Sequence, residues 1–248
     1  MTRIAAVGDI HVGTDSAGQV ARGLVHVHER ADLLLLAGDL TRCGTAGEAE
    51  LVAAELEDVT IPVVAVLGNH DFHGDEPELV TRALMDAGVT VLDGTSTTVD
   101  VDGTVIGVAG AKGFGGGFAG ACATAFGERA MKAFVDETRQ EAARLHDALV
   151  GVSRRSDRTV ALLHYSPVEE TLRGERLEIY PFLGSHLLAE AIDTAGADLV
   201  LHGHAHHGSE RGVTPGGIRV RNVAQPVIGH AYRVFDLRDP AAEDRSVA

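Results

Sequence analysis

Five short apolar runs constrain the fold of this 248-residue chain more than any other feature. They cover residues 3–8, 32–37, 62–67, 158–163 and 198–201, and read RIAAVG, DLLLLA, PVVAVL, RTVALL and DLVL. None alternates polar with apolar, as a strand with one wet face would. Runs of this length, bounded by turn residues and separated by helical patterns, indicate strands covered on both faces. The stretches between them suit helices at about 16–30, 45–57, 77–87, 128–150 and 185–194. In the helix at 128–150, Met131, Phe134, Val135, Thr138, Ala142, Leu145 and Leu149 fall at helical spacing, the stripe of a helix packed on a core. The expectation is an α/β fold with a largely parallel sheet. Asp102-Gly103, between apolar stretches at 97–101 and 104–109, is a strong hairpin signal, so antiparallel strands join the second half. Residues 218–223 and 231–237 read as closing strands.

Each of the five runs stops at a polar cluster: Asp9 and His11; Asp39; Asn69, His70 and Asp71; His164; and His204 with His206. The last cluster is the densest, with four histidines in the six residues 202–207. Alone it is compatible with a surface loop, a structural zinc site or part of a larger metal centre. The series is more telling, because open α/β sheets bind ligands beyond the carboxyl ends of their strands, where these clusters would converge. Glycines at 8, 38, 68 and 203 would let the backbone turn before the donors. The donors outnumber the roughly four that a structural zinc ion takes. Two ions about 3.5–4 Å apart, sharing a carboxylate, would use them all. Mixed imidazole and carboxylate donors favour Mn, Fe or Zn over Mg.

The motifs Asp9-x-His11, Gly38-Asp39, Gly68-Asn69-His70-Asp71, His164 and Gly203-His204-x-His206, in this order, resemble the signature blocks of the calcineurin-like metallophosphoesterases. The resemblance spans residues 3–236. It implies a four-layer α/β/β/α sandwich, with two mixed β-sheets flanked by helices. It also implies that Asp9, His11 and His206 hold one metal ion, that Asn69, His164 and His204 hold a second, and that Asp39 bridges them. His70 and Asp71 would be catalytic: His70 near the leaving oxygen, Asp71 orienting it. Hydroxide generated between two divalent or mixed-valence transition-metal ions would then attack phosphorus in line, without a protein nucleophile. Protein serine/threonine phosphatases of this superfamily carry Gly-Asp-x-Val-Asp-Arg-Gly and Gly-Asn-His-Glu. Here Cys43 stands at the arginine position and Asp71 at the glutamate position. Both departures point toward the bacterial-type branch rich in phosphodiesterases. The expected activity is hydrolysis of a small or nucleotide-like phosphodiester; a phosphomonoesterase and a non-catalytic metal-binding scaffold are the alternatives. All nine positions are filled, which argues against the scaffold.

Composition narrows the partners. With 21 basic and 36 acidic residues, the chain lacks the basic footprint of a nucleic-acid binder. Cys43 and Cys122 are its two cysteines, too few for a disulfide framework. No segment reaches the ~20 apolar residues of a membrane span, and the N-terminus lacks a signal-peptide layout. These features lead us to expect a cytoplasmic enzyme with one domain over 1–248, a small phosphoester substrate and no membrane partner. The glycine-rich stretch 110–127 carries no credible regular element. Such loops are often functional; this one would form an active-site lid, with Lys112 reaching phosphate and an exposed Phe114 or Phe118 stacking on a base. Tyr165 would line the pocket. His202 and His207 are not required for the centre, Cys43 would be a small packing residue, and His26, His28 and His146 would lie on the surface.

Overall fold

The computed structural model describes residues 2–237; the remainder of the expected domain range lies outside them. The first half runs β1 (Arg3–Val7), α1 (Gln19–Leu24), α2 (Val27–Arg30), β2 (Leu33–Ala37), α3 (Ala46–Glu55), β3 (Val63–Val66), α4 (Pro77–Asp86) and β4 (Thr90–Leu92). The hairpin β5 (Thr95–Val101) and β6 (Thr104–Ala111) follows, then the two-residue strands β7 (Gly117–Phe118) and β8 (Ala121–Cys122), and the long helix α5 (Arg129–Ser153). The chain ends β9 (Arg158–Leu163), α6 (Tyr180–Leu183), α7 (His186–Ala195), β10 (Leu199–His202), β11 (Arg211–Val213), β12 (Arg219–Asn222), α8 (Gln225–Ile228) and β13 (Arg233–Asp236).

Two mixed sheets form, in the orders β13-β1-β2-β3-β4 and β11-β12-β10-β9-β6-β5. The interior strands β1, β2 and β3 pair in parallel, as do β6, β9, β10 and β12. The continuous apolar runs now have a physical account. In β2, Leu33 and Leu35 face the second sheet, while Leu34 and Leu36 face the helices α1 to α4. In β9, Val160 and Leu162 face the first sheet, while Ala161 and Leu163 pack under α5 and α7. All of β2, and all of β9 after Arg158, is therefore buried, and each large aliphatic side chain contributes roughly 1.5–3 kcal/mol to the two-sided core. The result is the expected four-layer α/β/β/α sandwich. The α5 stripe packs as anticipated: Val135, Thr138, Ala142, Leu145 and Leu149 are buried, whereas Met131 remains exposed.

Local signals explain several boundaries. Thr45 caps α3 by accepting the Glu48 N–H at 3.3 Å, and Ser185 caps α7. Asp102 and Gly103 both take positive φ, as a tight hairpin requires.

Three expectations need correction. The helix at 16–30 is broken into α1 and α2. Gly18 sits at φ 77°, and the start of α1 is held by Glu55, whose carboxylate accepts the N–H groups of Gly18 and Ala21 from α3. Strand β11 was not anticipated. The stretch 110–127 is not structureless: β6 extends to Ala111, β7 and β8 form a small hairpin, and residues 115–118 are buried. Glu141 accepts the Gly113 N–H at 2.7 Å, Thr138 donates its hydroxyl to the Gly115 carbonyl at 2.6 Å, and the Pro181 carbonyl accepts the Gly116 N–H at 2.7 Å. Phe118 is buried with Leu172, Leu183 and Ala205 rather than exposed as expected.

Candidate metal centre

The five polar clusters meet at one edge of the sandwich, where the carboxyl ends of β1, β2 and β3 face those of β9 and β10. Asp9, His11 and Asp39 lie just beyond β1 and β2, Asn69 and His70 beyond β3, His164 directly after β9, and His204 and His206 after β10. Crowding at this edge explains two of the glycines. A Cβ on Gly68 would collide with the Asp39 carboxylate, and one on Gly203 with that of Asp9. Their contribution is space, and the unusual backbone lies elsewhere. Asp9 (φ 59°), His11 (φ 42°), Asp39 (φ 51°) and His204 (φ 71°) are four of the six non-glycine residues with positive φ among the described residues. Such conformations cost about 1–3 kcal/mol each and concentrate at functional sites.

The donors form two groups that share one carboxylate. Single ligand atoms of Asp9, His11, Asp39 and His206 lie within 4.8 Å of one another, as do those of Asp39, His164 and His204. In the first group, His206 Nε2 is 2.8 Å from Asp9 Oδ1 and 3.5 Å from His11 Nε2, and His11 Nε2 is 3.8 Å from Asp39 Oδ2. In the second, His164 Nε2 is 3.3 Å from Asp39 Oδ1 and 2.9 Å from Asn69 Oδ1. Asp39 thus presents one oxygen to each group. His164 Nδ1 donates to the Ala37 carbonyl at 2.9 Å, which leaves Nε2 as the free donor atom. The His204 ring lies 4.4 Å from that of Tyr165 and 4.8 Å from that of His164.

The electrostatics suit cations. Burial lowers the pKa of His11 to about 4 and that of His204 to about 3, and it holds His164 well below the usual histidine range. These imidazoles keep their lone pairs at neutral pH. Burial raises Asp9 to about 6, against the hydrogen bond from His206; that same bond raises the pKa of His206. Converging carboxylates and imidazoles, with no lysine or arginine among the seven donors, form a donor set for transition-metal ions.

His70 lies at the rim, its ring 4.5 Å from that of His11 and its Nε2 4.0 Å from Asp39 Oδ2. Asp71, expected to orient it, does something else. Among the described residues the partner of His70 Nδ1 is the Arg42 carbonyl, at 2.7 Å. The fully buried Asp71 carboxylate instead accepts the Leu40, Thr41 and Gly68 N–H groups at 3.2, 2.8 and 2.8 Å, together with the Thr41 hydroxyl at 2.6 Å. It ties the loop carrying Asp39 to the loop carrying Asn69 and His70. Burial raises its pKa to about 6.

The remaining residues fall into place. Tyr165 lines the centre, and burial raises its pKa to about 12. His202 is fully buried, hydrogen-bonded to Thr171 and its neighbouring Gly203 carbonyl, and turned away from the donors. His207 is exposed, its N–H donating to Glu175. Cys43 is exposed rather than packed. His26 and His28 are exposed, and His146 is half-buried. Lys112 follows β6 and is half-buried; burial lowers its pKa, opposed by Glu141. No helix among the described residues is long and apolar enough to cross a membrane.

The family model for calcineurin-like phosphoesterases matches residues 2–208. The chain belongs to this family. Membership makes it a metal-dependent phosphoester hydrolase. Solved structures with the same fold include a phosphopantetheinyl hydrolase from Mycobacterium tuberculosis, with TM-score 0.64, 14% identity, and 90% of this chain and 89% of that one covered. Another is the protein TT1561 of Thermus thermophilus, with TM-score 0.58, 19% identity, and 96% and 95% covered. A putative 5'-nucleotidase from Staphylococcus aureus shares the fold at TM-score 0.56 and 16% identity over 89% of this chain, but only 48% of that one. At these identities the likeness concerns the fold. No curated protein matches the chain.

Proposed function

We propose that this metallophosphoesterase is a dinuclear phosphodiesterase acting on a small or nucleotide-like phosphodiester. Asp9, His11 and His206 hold one ion, Asn69, His164 and His204 hold the other, and Asp39 bridges them. The observation that carries this reading is the Asp39 carboxylate, with one oxygen toward each donor group. Bound there, Mn, Fe or Zn ions supply Lewis-acid polarisation of the phosphate and acidify a water. The protein's own residues do the rest. The Arg42 carbonyl fixes the His70 ring through Nδ1 and turns Nε2 toward the centre, from which a proton reaches the departing oxygen. Asp71 acts through the backbone, fixing the two loops that present Asp39 and Asn69.

The side-chain cations near the centre favour a diester over a monoester. A monoester dianion carries more charge and calls for more positive partners. Cys43 occupies the position of the phosphatase arginine. Arg42 is engaged by Asp15 at 2.6 Å. The test compares hydrolysis of bis-p-nitrophenyl phosphate and p-nitrophenyl phosphate by the Mn²⁺-loaded protein. The diester should be preferred in kcat/KM; preference for the monoester overturns the diesterase reading. Failure to hydrolyse either, with two ions bound, would indicate a scaffold.

A further inference from the structure

Next to the centre, one strand further out along the same edge, lies a cleft of about 290 Å³ that none of the seven proposed metal donors lines. Leu67 at the end of β3, Phe72 in the turn after His70, and Val91 and Leu92 of β4 form its apolar walls. Lys112, at the end of β6, completes the lining, and its position is unusual. Its amine lies 4.9 Å from the ring centroid of Phe114, 5.3 Å from that of Phe72 and 5.4 Å from that of Tyr165. It donates to the Gly113 carbonyl at 3.0 Å. Three aromatic faces hold a cation without neutralising it, so its charge remains available to an anion. Two of these rings mark the junction between cleft and centre: Phe72 lines the cleft, and Tyr165 lies against the donor His204, its ring tilted by 45°.

We propose that this cleft receives the organic substituent of the phosphoester, that the substituent is an uncharged aromatic or heteroaromatic ring, and that Lys112 contacts the phosphate at the junction. The inference rests on the phosphoesterase reading and adds the substrate class. Three features select the ring. The volume is at the lower end of the roughly 300–1,000 Å³ range of small-molecule pockets, enough for one ring system and too small for an oligomer. The walls are apolar, and Phe72, 38% exposed, offers a ring for stacking. Glu78 and Asp93 also line the cleft, Asp93 in an ion pair with Arg144 at 3.7 Å, and the Glu78 carboxylate would repel a second phosphate or a polyphosphate tail. Among the described residues Lys112 is thus the cleft's sole lining cation, on the side of the aromatic junction.

A binding experiment tests this without requiring turnover. Phenylphosphonate and methylphosphonate are titrated calorimetrically into the Mn²⁺-loaded protein, with metal content measured alongside. The wild-type protein should bind the phenyl compound about tenfold more tightly, as one stacked ring provides. Thr81→Trp from α4 and Val91→Trp from β4 fill the cleft from independent elements, and each should bring the two affinities within about twofold. Lys112→Met should weaken both ligands. Equal affinities in the wild type, or a phenyl preference that survives in a filled variant with normal metal content, overturn the proposal. A phenyl preference in a protein that hydrolyses no diester supports the cleft and counts against the diesterase reading alone. Diester hydrolysis without any phenyl preference does the reverse.

Discussion

His164 is fully buried, its Nδ1 fixed by the Ala37 carbonyl and its Nε2 wedged between Asp39 and Asn69. On the other side of Asp39, the side chains of His11 and His206 are 22% and 35% exposed, and His206 shares a short hydrogen bond with Asp9. The two donor groups meet at one carboxylate yet differ in how they handle protons. Around His164 and His204, burial suppresses the charged imidazole far below neutrality. Around Asp9 and His206, burial of the acid and its bond to the imidazole push both groups toward holding a proton in mildly acidic solution. On the proposed assignment, one ion is kept in an inert cradle and the other in a proton-sensitive one.

This contrast can be broken or sharpened experimentally. The largest effect should come from Asp39→Asn, which removes the shared charge; both ions should be lost by elemental analysis and turnover with them. Retention of two ions would end the bridging assignment. His70→Ala should keep both ions and lower kcat by roughly 10²–10⁴-fold; parental turnover would remove His70 from the chemistry. Asp71→Asn replaces an acceptor by a group that also donates, facing three backbone N–H groups. It should weaken binding of both ions by roughly 10–100-fold and lower the melting temperature, since each buried unpaired donor costs about 1–3 kcal/mol. Acidification should separate the halves. As pH falls, His206, raised above the ordinary histidine range by its bond to Asp9, takes up a proton first; Asp9 follows through about 6, and both cease to be donors. His204, at about 3, and His164 do not. One equivalent of metal should therefore leave between pH 7 and 5 while the other stays; simultaneous loss would refute the asymmetry. The smallest effect on the centre should come from Leu149→Ala beneath the second sheet, which costs about 2–5 kcal/mol of stability but leaves metal content unchanged.

The strand ends were legible because the physics there is local. An apolar run covered on both faces has nowhere to go but between two layers, and a polar group at its end is delivered to a common edge. Asp9, Asp39, Asn69, His164, His204 and His206 could thus be brought together on paper. What escaped depends on partners distant in sequence. Nothing near Asp71 says that it will bind Leu40 and Thr41 rather than orient His70. The late start of α1, at Gln19 rather than Ser16, goes with Glu55 reaching back from α3 to the Gly18 and Ala21 N–H groups. The glycines of 110–127 suggested a loose lid, but Thr138 and Glu141 of α5 and the Pro181 carbonyl of α6 pin residues 113–116 from two elements. The aromatic enclosure of Lys112 joins residues from separate segments of the chain, so no short motif announces it.

The left-handed backbone at Asp9, His11, Asp39 and His204 bears on how the protein would respond to selection. At each of these positions glycine would relax the chain and remove a donor in the same step. A library screened for heat resistance alone should therefore drift away from these four residues, whereas one screened for turnover should hold them and gather its stabilising changes elsewhere. Asn, which tolerates that conformation better than most side chains, would be the informative replacement for either aspartate, because it separates the loss of charge from the release of strain.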